Sequence, residues 1–216
     1  MVTGEKIFHG SLAAAEVSRD TKSYSGFMSG LFEGSVRRHL FSCYSITPMG
    51  AEAEEFVERL RLLLIQKVDP ERIDRDGDIS EDVIAAFREI GAFGIKIPKT
   101  YGGLGLSQSE YHTVATLLGS HDASTTVLIS AHNSIGVGEP VKLVGDAAQK
   151  QRLLPRLANG EISGFALTEK DAGCDIWDLK AYAVPVKEHG RTIGYRLTAD
   201  KLYTTNAPHR KNEFLA

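Results

Sequence analysis

A chain of 216 residues, 42% of them hydrophobic and 25% charged, has the make-up of an ordinary globular protein, with room for one large domain or one domain and part of a second. A formal net charge of -3 gives no electrostatic reason to expect nucleic acid or an anionic membrane as partner. No run is long and apolar enough to predict a transmembrane segment, and two cysteines, Cys43 and Cys174, make neither a disulfide framework nor a cysteine metal cluster.

The N-terminal stretch carries Glu5, Glu16 and Asp20 without a clean apolar centre, which argues against a secretory signal or an acid-poor transit peptide. A reducing cytoplasm is the simplest setting, so a cytoplasmic location is expected.

The first strongly periodic segment, Ala51 to Val68, puts Phe56, Leu60, Leu63 and Leu64 on one helical stripe. Next comes the acidic run DRDGDIS. A calcium-binding EF-hand loop needs Gly at its sixth position and Glu at its twelfth. Starting at Asp74 places Ile79 and Ala85 there, and starting at Arg72 recovers Gly77 but loses the first ligand and ends on Val83. The run reads instead as a turn into a helix capped by Ser80, with Glu81 and Asp82 in the first turn, Val83, Ile84, Phe87 and Ile90 buried, and Gly91 as terminator.

The glycines of KTYGGLGLSQSEY lack dinucleotide-binding spacing and read as a flexible loop before a helix with a Ser107–Glu110 capping box. The segment ASTTVLISAHNSIGVG is apolar nearly all round and is expected deep inside a bundle. A second capping pattern, Asp146 with Gln149, opens a helix burying Leu153, Leu154 and Leu157, in which Pro155 predicts a kink or an early end. His112, His121 and His132 lack the paired helical spacing of a zinc site and read as polar or packed residues.

After Gly160 the period changes. SGFALT, LKAYAVPV, TIGYRLTA and KLYTT read as short strands, with a hairpin turn around Gly190. Helices first and strands second point to an α+β chain or two domains, not to a doubly wound sheet. A small sheet with open edges is poorly self-sufficient, so the sequence reads as stopping inside its β-region.

Four stretches occur in family order: GAFGIKIPKTYGGLGLSQSEY, AHNSIGVGEPVKLVGDAAQKQRLLPRLANGE, SGFALTEKDAGCD and KLYTTNA. Together they resemble the acyl-CoA dehydrogenase family, and SYSGFMSGLFEG upstream is similar to the leader of its very-long-chain branch. The resemblance implies a leader over residues 1–50, an all-helical N-terminal domain over 51–160, and the beginning of a β-barrel-like middle domain over 161–216. It also implies that the C-terminal helical domain is absent. In the family that domain supplies the base that removes the substrate α-proton, so no catalytic residue is assigned here and the chain alone is expected to be inactive.

The cofactor implied is FAD, held by Phe165, Leu167, Thr168, Gly173, Cys174, Tyr203 and Thr205. Thr168 is expected to bond near the flavin's pyrimidine end, Tyr203 to pack on the ring, and Thr205 to donate towards the reactive nitrogen. Gly173 and Cys174 would meet the flavin phosphate, with Cys174 also near the acyl-CoA thioester. Implied partners are an acyl-CoA substrate, an electron-transfer flavoprotein and, in the full-length form, a second copy of the chain. Lys170, Cys174 and Tyr203 depart from the proline, serine and tryptophan of the family pattern. Two other readings stay open: a non-catalytic interaction module, and a flavin-dependent oxidase or monooxygenase of the same fold.

Overall fold

Long apolar stripes on the helices and a switch to two-residue alternation set the architecture of the chain. A computed structural model describes residues 48–207 together with Gly30, Gly34, Phe214 and Leu215, so the leader, Cys43 and most of PHRKNEFLA lie outside the described residues. The chain divides into two compact units, Met1–Pro48 and Met49–Ala216.

The second unit carries seven described α-helices: α1 Ala51–Lys67, α2 Pro70–Asp76, α3 Glu81–Glu89, α4 Gln108–His121, α5 Ala123–Ser130, α6 Gly138–Val144 and α7 Ala147–Ala158. The α1 stripe is buried as its spacing predicts, and Phe56, Leu60 and Leu64 meet Ile84 and Phe87 of α3, Val114 and Leu118 of α4, and Leu128 and Ile129 of α5 in one core. A smaller cluster joins Ile97 to Leu154, Leu157 and Ala158. No described helix is long and apolar enough to cross a membrane.

Both predicted capping boxes are formed, Ser107 with Glu110 at α4 and Asp146 with Gln149 at α7. Ser80 stands at the N-cap of α3, but its hydroxyl bonds the Asp82 carboxylate and lowers its pKa, without capping a backbone N–H. Gly91, at φ 82°, turns the chain out of that helix.

Three expectations are corrected among the helices. Pro155 does not end α7, which runs through it to Ala158; the missing N–H would have bonded Gln151, an exposed residue that faces water. The glycine loop is a bonded turn. Leu104, Leu106 and Gly105 donate N–H to the carbonyls of Gly94, Ile95 and Ile97, and a Cβ on Gly103 would lie 2.1 Å from the Ile97 oxygen. The apolar stretch is not one deep helix, because α5 widens into a π-helical turn, Ala131–Ile135, and Val127 and Ile135 are each half exposed.

The β-part is smaller than the sequence predicts. SGFALT yields only β1, Ser163–Gly164, which pairs in parallel with β4, Phe214–Leu215. An antiparallel hairpin joins β2, Tyr182–Glu188, to β3, Arg191–Thr198. Its two-residue turn places His189 and Gly190 at φ 46° and 78°, the double left-handed geometry that suits a tight hairpin. KLYTT forms no strand, because Tyr203 at φ 55° and Asn206 at φ 70° break the extended path.

Candidate functional site

Ser163, at the exit from the helical part, is fixed through every polar atom it has. Its N–H donates to His132 Nδ1 at 3.0 Å, its carbonyl accepts from Asn206 Nδ2 at 3.1 Å, and its hydroxyl oxygen accepts from the Val137 N–H at 3.3 Å. His132 lies in the π-helical turn with Nε2 3.0 Å from the Phe93 carbonyl, so the ring donates there and accepts from Ser163. Burial pushes its pKa down to about 4, against the Phe93 and Leu157 carbonyls that favour the charged ring. His132 is therefore a neutral structural pin.

Past β1 the chain runs through Phe165, Leu167 and Thr168, all half-buried, to Glu169. Glu169 is only 8% exposed and accepts from three donors: the Lys180 N–H at 2.6 Å, the Ala181 N–H at 3.0 Å and Lys201 Nζ at 2.8 Å. Lys201 is the main reason its pKa falls below the ordinary carboxylate value. A carboxylate so stabilised is a poor proton acceptor; Glu169 braces the root of the hairpin and is not a base. The same brace brings two sequence-predicted segments side by side. Lys201 also donates to the Leu167 carbonyl, and the Leu202 N–H donates to the Thr168 carbonyl, both at 2.9 Å.

From there Thr204, Thr205 and Asn206 form one wall of a cleft of about 620 Å³. The remaining lining comes from Ala123, Ser124, Val127 and Leu128 of α5 and from Ile73, Asp74, Gly77, Asp78 and Ile79, so two carboxylates stand among the apolar groups. That volume falls within the roughly 300–1,000 Å³ of small-molecule sites, and apolar walls with a few hydroxyls and carboxylates are a mixture such sites use.

The predicted site residues separate into two groups. Phe165, Leu167, Thr168, Tyr203 and Thr205 lie on neighbouring segments, with Thr205 in the cleft and Tyr203 89% exposed, its ring open to stack on a ligand. Gly173 and Cys174 are exposed and follow directly on the turn closed by the Glu169–Ala172 bridge. A Cβ on Gly173 would meet no protein atom within 4 Å, so nothing inside the described chain requires glycine there. Sequence reasoning read His132 as a polar or packed residue but missed Ser163 and Asn206, to which it is linked, and the α5 residues that line the cleft. An Asn directly after two threonines was the available signal, because Asn tolerates left-handed backbone and its amide can bond two carbonyls.

Residues 50–161, more than half of the chain, match the acyl-CoA dehydrogenase N-terminal domain. The chain belongs to the acyl-CoA dehydrogenase family. It is 44% identical over 200 residues to the probable acyl-CoA dehydrogenase FadE10 of Mycobacterium tuberculosis, covering 90% of this chain and 30% of that protein. It is 33% identical over 184 residues to the mitochondrial very long-chain specific acyl-CoA dehydrogenase of Rattus norvegicus, covering 83% of this chain and 28% of the relative. Among solved structures, an acyl-CoA dehydrogenase complexed with FAD from Bacillus anthracis superimposes with a TM-score of 0.62 at 28% identity, over 74% of this chain and 28% of that one. The chain thus spans about 30% of the length of the curated relatives it matches.

Two features of the chain bear on whether a flavin would fit. The cleft joins an apolar wall to the Thr205 segment beside an exposed aromatic ring, and Gly173 leaves its backbone open to approach by a group from outside the chain.

Proposed function

We propose that this chain is the flavin- and acyl-facing part of an FAD-dependent acyl-CoA dehydrogenase, an oxidoreductase that introduces a double bond between the α and β carbons of an acyl thioester. The observation that carries the reading is the convergence of the Thr168 and Thr205 segments beside a cleft walled by α5. FAD, when bound, supplies the acceptor for the hydride that leaves the β-carbon. In this reading Thr205 and Thr168 would present hydroxyls to its ring, Tyr203 would cover a face of it, Phe165 and Leu167 would keep water from it, and Gly173 and Cys174 would meet its phosphates. Cys174 also meets the thioester. Val127, Leu128, Ile73 and Ile79 offer the apolar lining that an acyl chain needs.

The leader motif SYSGFMSGLFEG and the rat relative support long acyl chains as substrate. An electron-transfer flavoprotein as acceptor, a homo-oligomeric full-length form and a cytoplasmic location belong to the same reading. The interaction-module alternative draws on one observation. Every described hairpin residue but Gly194 is exposed, and Trp177 beside the hairpin root is 93% exposed, a surface suited to covering by protein.

The test is the visible spectrum of the purified chain after incubation with FAD and removal of the excess. The flavin reading expects a retained oxidised-flavin band that shifts on adding long-chain but not short-chain acyl-CoA. A colourless protein, or equal shifts at every chain length, contradicts the flavin assignment or the chain-length assignment respectively.

A further inference from the structure

We infer that Asn206 is a positioning residue, whose side-chain amide bonds the last turn of α5 and β1 at once and so sets where Thr205 stands in the cleft. The inference rests on the flavin reading for its consequence in binding, and on the geometry of this chain for the positioning itself. Asn206 is 6% exposed and adopts φ 70°, a backbone state that asparagine tolerates better than most residues. Its Nδ2 donates to the Leu128 carbonyl at 3.2 Å and to the Ser163 carbonyl at 3.1 Å, acceptors 78 and 43 residues away in sequence.

Both acceptors stand on fixed elements. Leu128 lies in the last turn of α5, just before the π-helical turn, where the neighbouring Ile129 carbonyl accepts another buried amide, Asn133 Nδ2, at 3.0 Å. Helix widening of this kind is frequent at functional sites, and here side-chain amides occupy its margin. Ser163 is held by His132 and Val137.

The segment that carries Thr205 has little else to fix it. Left-handed Tyr203 and Asn206 bracket it, and its described backbone bonds are one from Leu202 to Thr168 and one from Ala207 to Thr204. A donor pair buried at one end of such a segment determines its position, because leaving those groups unpaired is costly. Thr204, Thr205, Asn206 and Leu128 all line the cleft, so the hydrogen bond from the Asn206 amide to the Leu128 carbonyl ties the two segments together at its edge.

The test compares Asn206→Gly, which keeps the left-handed backbone but removes the amide, with Asn206→Asp, which keeps size but has no N–H to donate. Asn206→Ser, which retains one donor, replaces Asn206→Gly if circular dichroism shows that variant unfolded. Two readouts are taken on the full chain: FAD affinity and bound-flavin spectrum by titration, and amide hydrogen exchange over residues 202–207. Loss of the amide is expected to speed exchange in 202–207 while α1 stays protected, to weaken FAD about tenfold, and to move the flavin band. Unchanged exchange in 202–207 overturns the inference whatever the flavin does. If the wild-type chain takes up no FAD while the variants still exchange faster, the flavin reading falls and the positioning role stands.

Discussion

At the residue scale, His132 makes a sharp prediction about acidity. The folded chain keeps the ring neutral until about pH 4, whereas the unfolded chain takes up a proton near pH 6.5. Between those values the unfolded state binds more protons, so stability falls as pH drops through the window, by roughly 3 kcal/mol in total. Urea unfolding at pH 7, 5.5 and 4 measures it, and in His132→Gln this part of the slope should vanish. Glu169 acts in the same direction, over a more acidic range. Its folded pKa is depressed, so its contribution is present above the ordinary carboxylate value and is lost only as pH falls through the lower folded one. Sequence alone read His132 as a polar or packed residue and could not tell that it pins Ser163, since its partners stand 39 and 31 residues away. Thr168 and Thr205 are marked in the sequence by the family motifs, and the structure brings their segments side by side; Asn206 closes the same motif, yet only its burial reveals its two hydrogen bonds.

At the scale of single elements, local signals were the readable ones. The capping boxes at α4 and α7 need only four consecutive residues, and both formed. Asp146→Ala should therefore cost about 1 kcal/mol in urea unfolding with an unchanged m-value. The glycine turn after α3 was misread because its cause is tertiary: Gly103 lies against the Ile97 carbonyl, which composition does not show. Gly103→Ala should destabilise by about 1–3 kcal/mol, whereas Gly102→Ala meets open space and is opposed only by its φ of 83°. A wild-type melting temperature for Gly103→Ala would contradict the bonded turn. The π-helical turn escaped sequence reading because the segment is apolar nearly all round, so the rotation that an extra residue imposes displaces no visible stripe.

At the scale of the whole unit, stability is uneven. The helical core buries Phe56, Phe87, Phe93 and Leu118 almost completely, whereas the hairpin exposes Tyr182, Val184, Ile193, Tyr195 and Leu197. A two-stranded hairpin with little burial is marginal in water. Amides of residues 182–198 should exchange far faster than those of α1 and α4, and equal protection would show that the hairpin is covered. The order of helices before strands was readable from the change of hydrophobic period after Gly160, but strand extent was not, since left-handed residues such as Tyr203 leave no mark in that period.

The central claim is that the Thr168 and Thr205 segments form a flavin-binding wall opposite α5, and calorimetric titration of FAD into the wild-type chain and Thr205→Val tests it most directly. The account predicts saturable one-to-one binding that weakens about three- to tenfold when the hydroxyl is removed. Absence of binding by the wild type, or equal affinity in the variant, would contradict it.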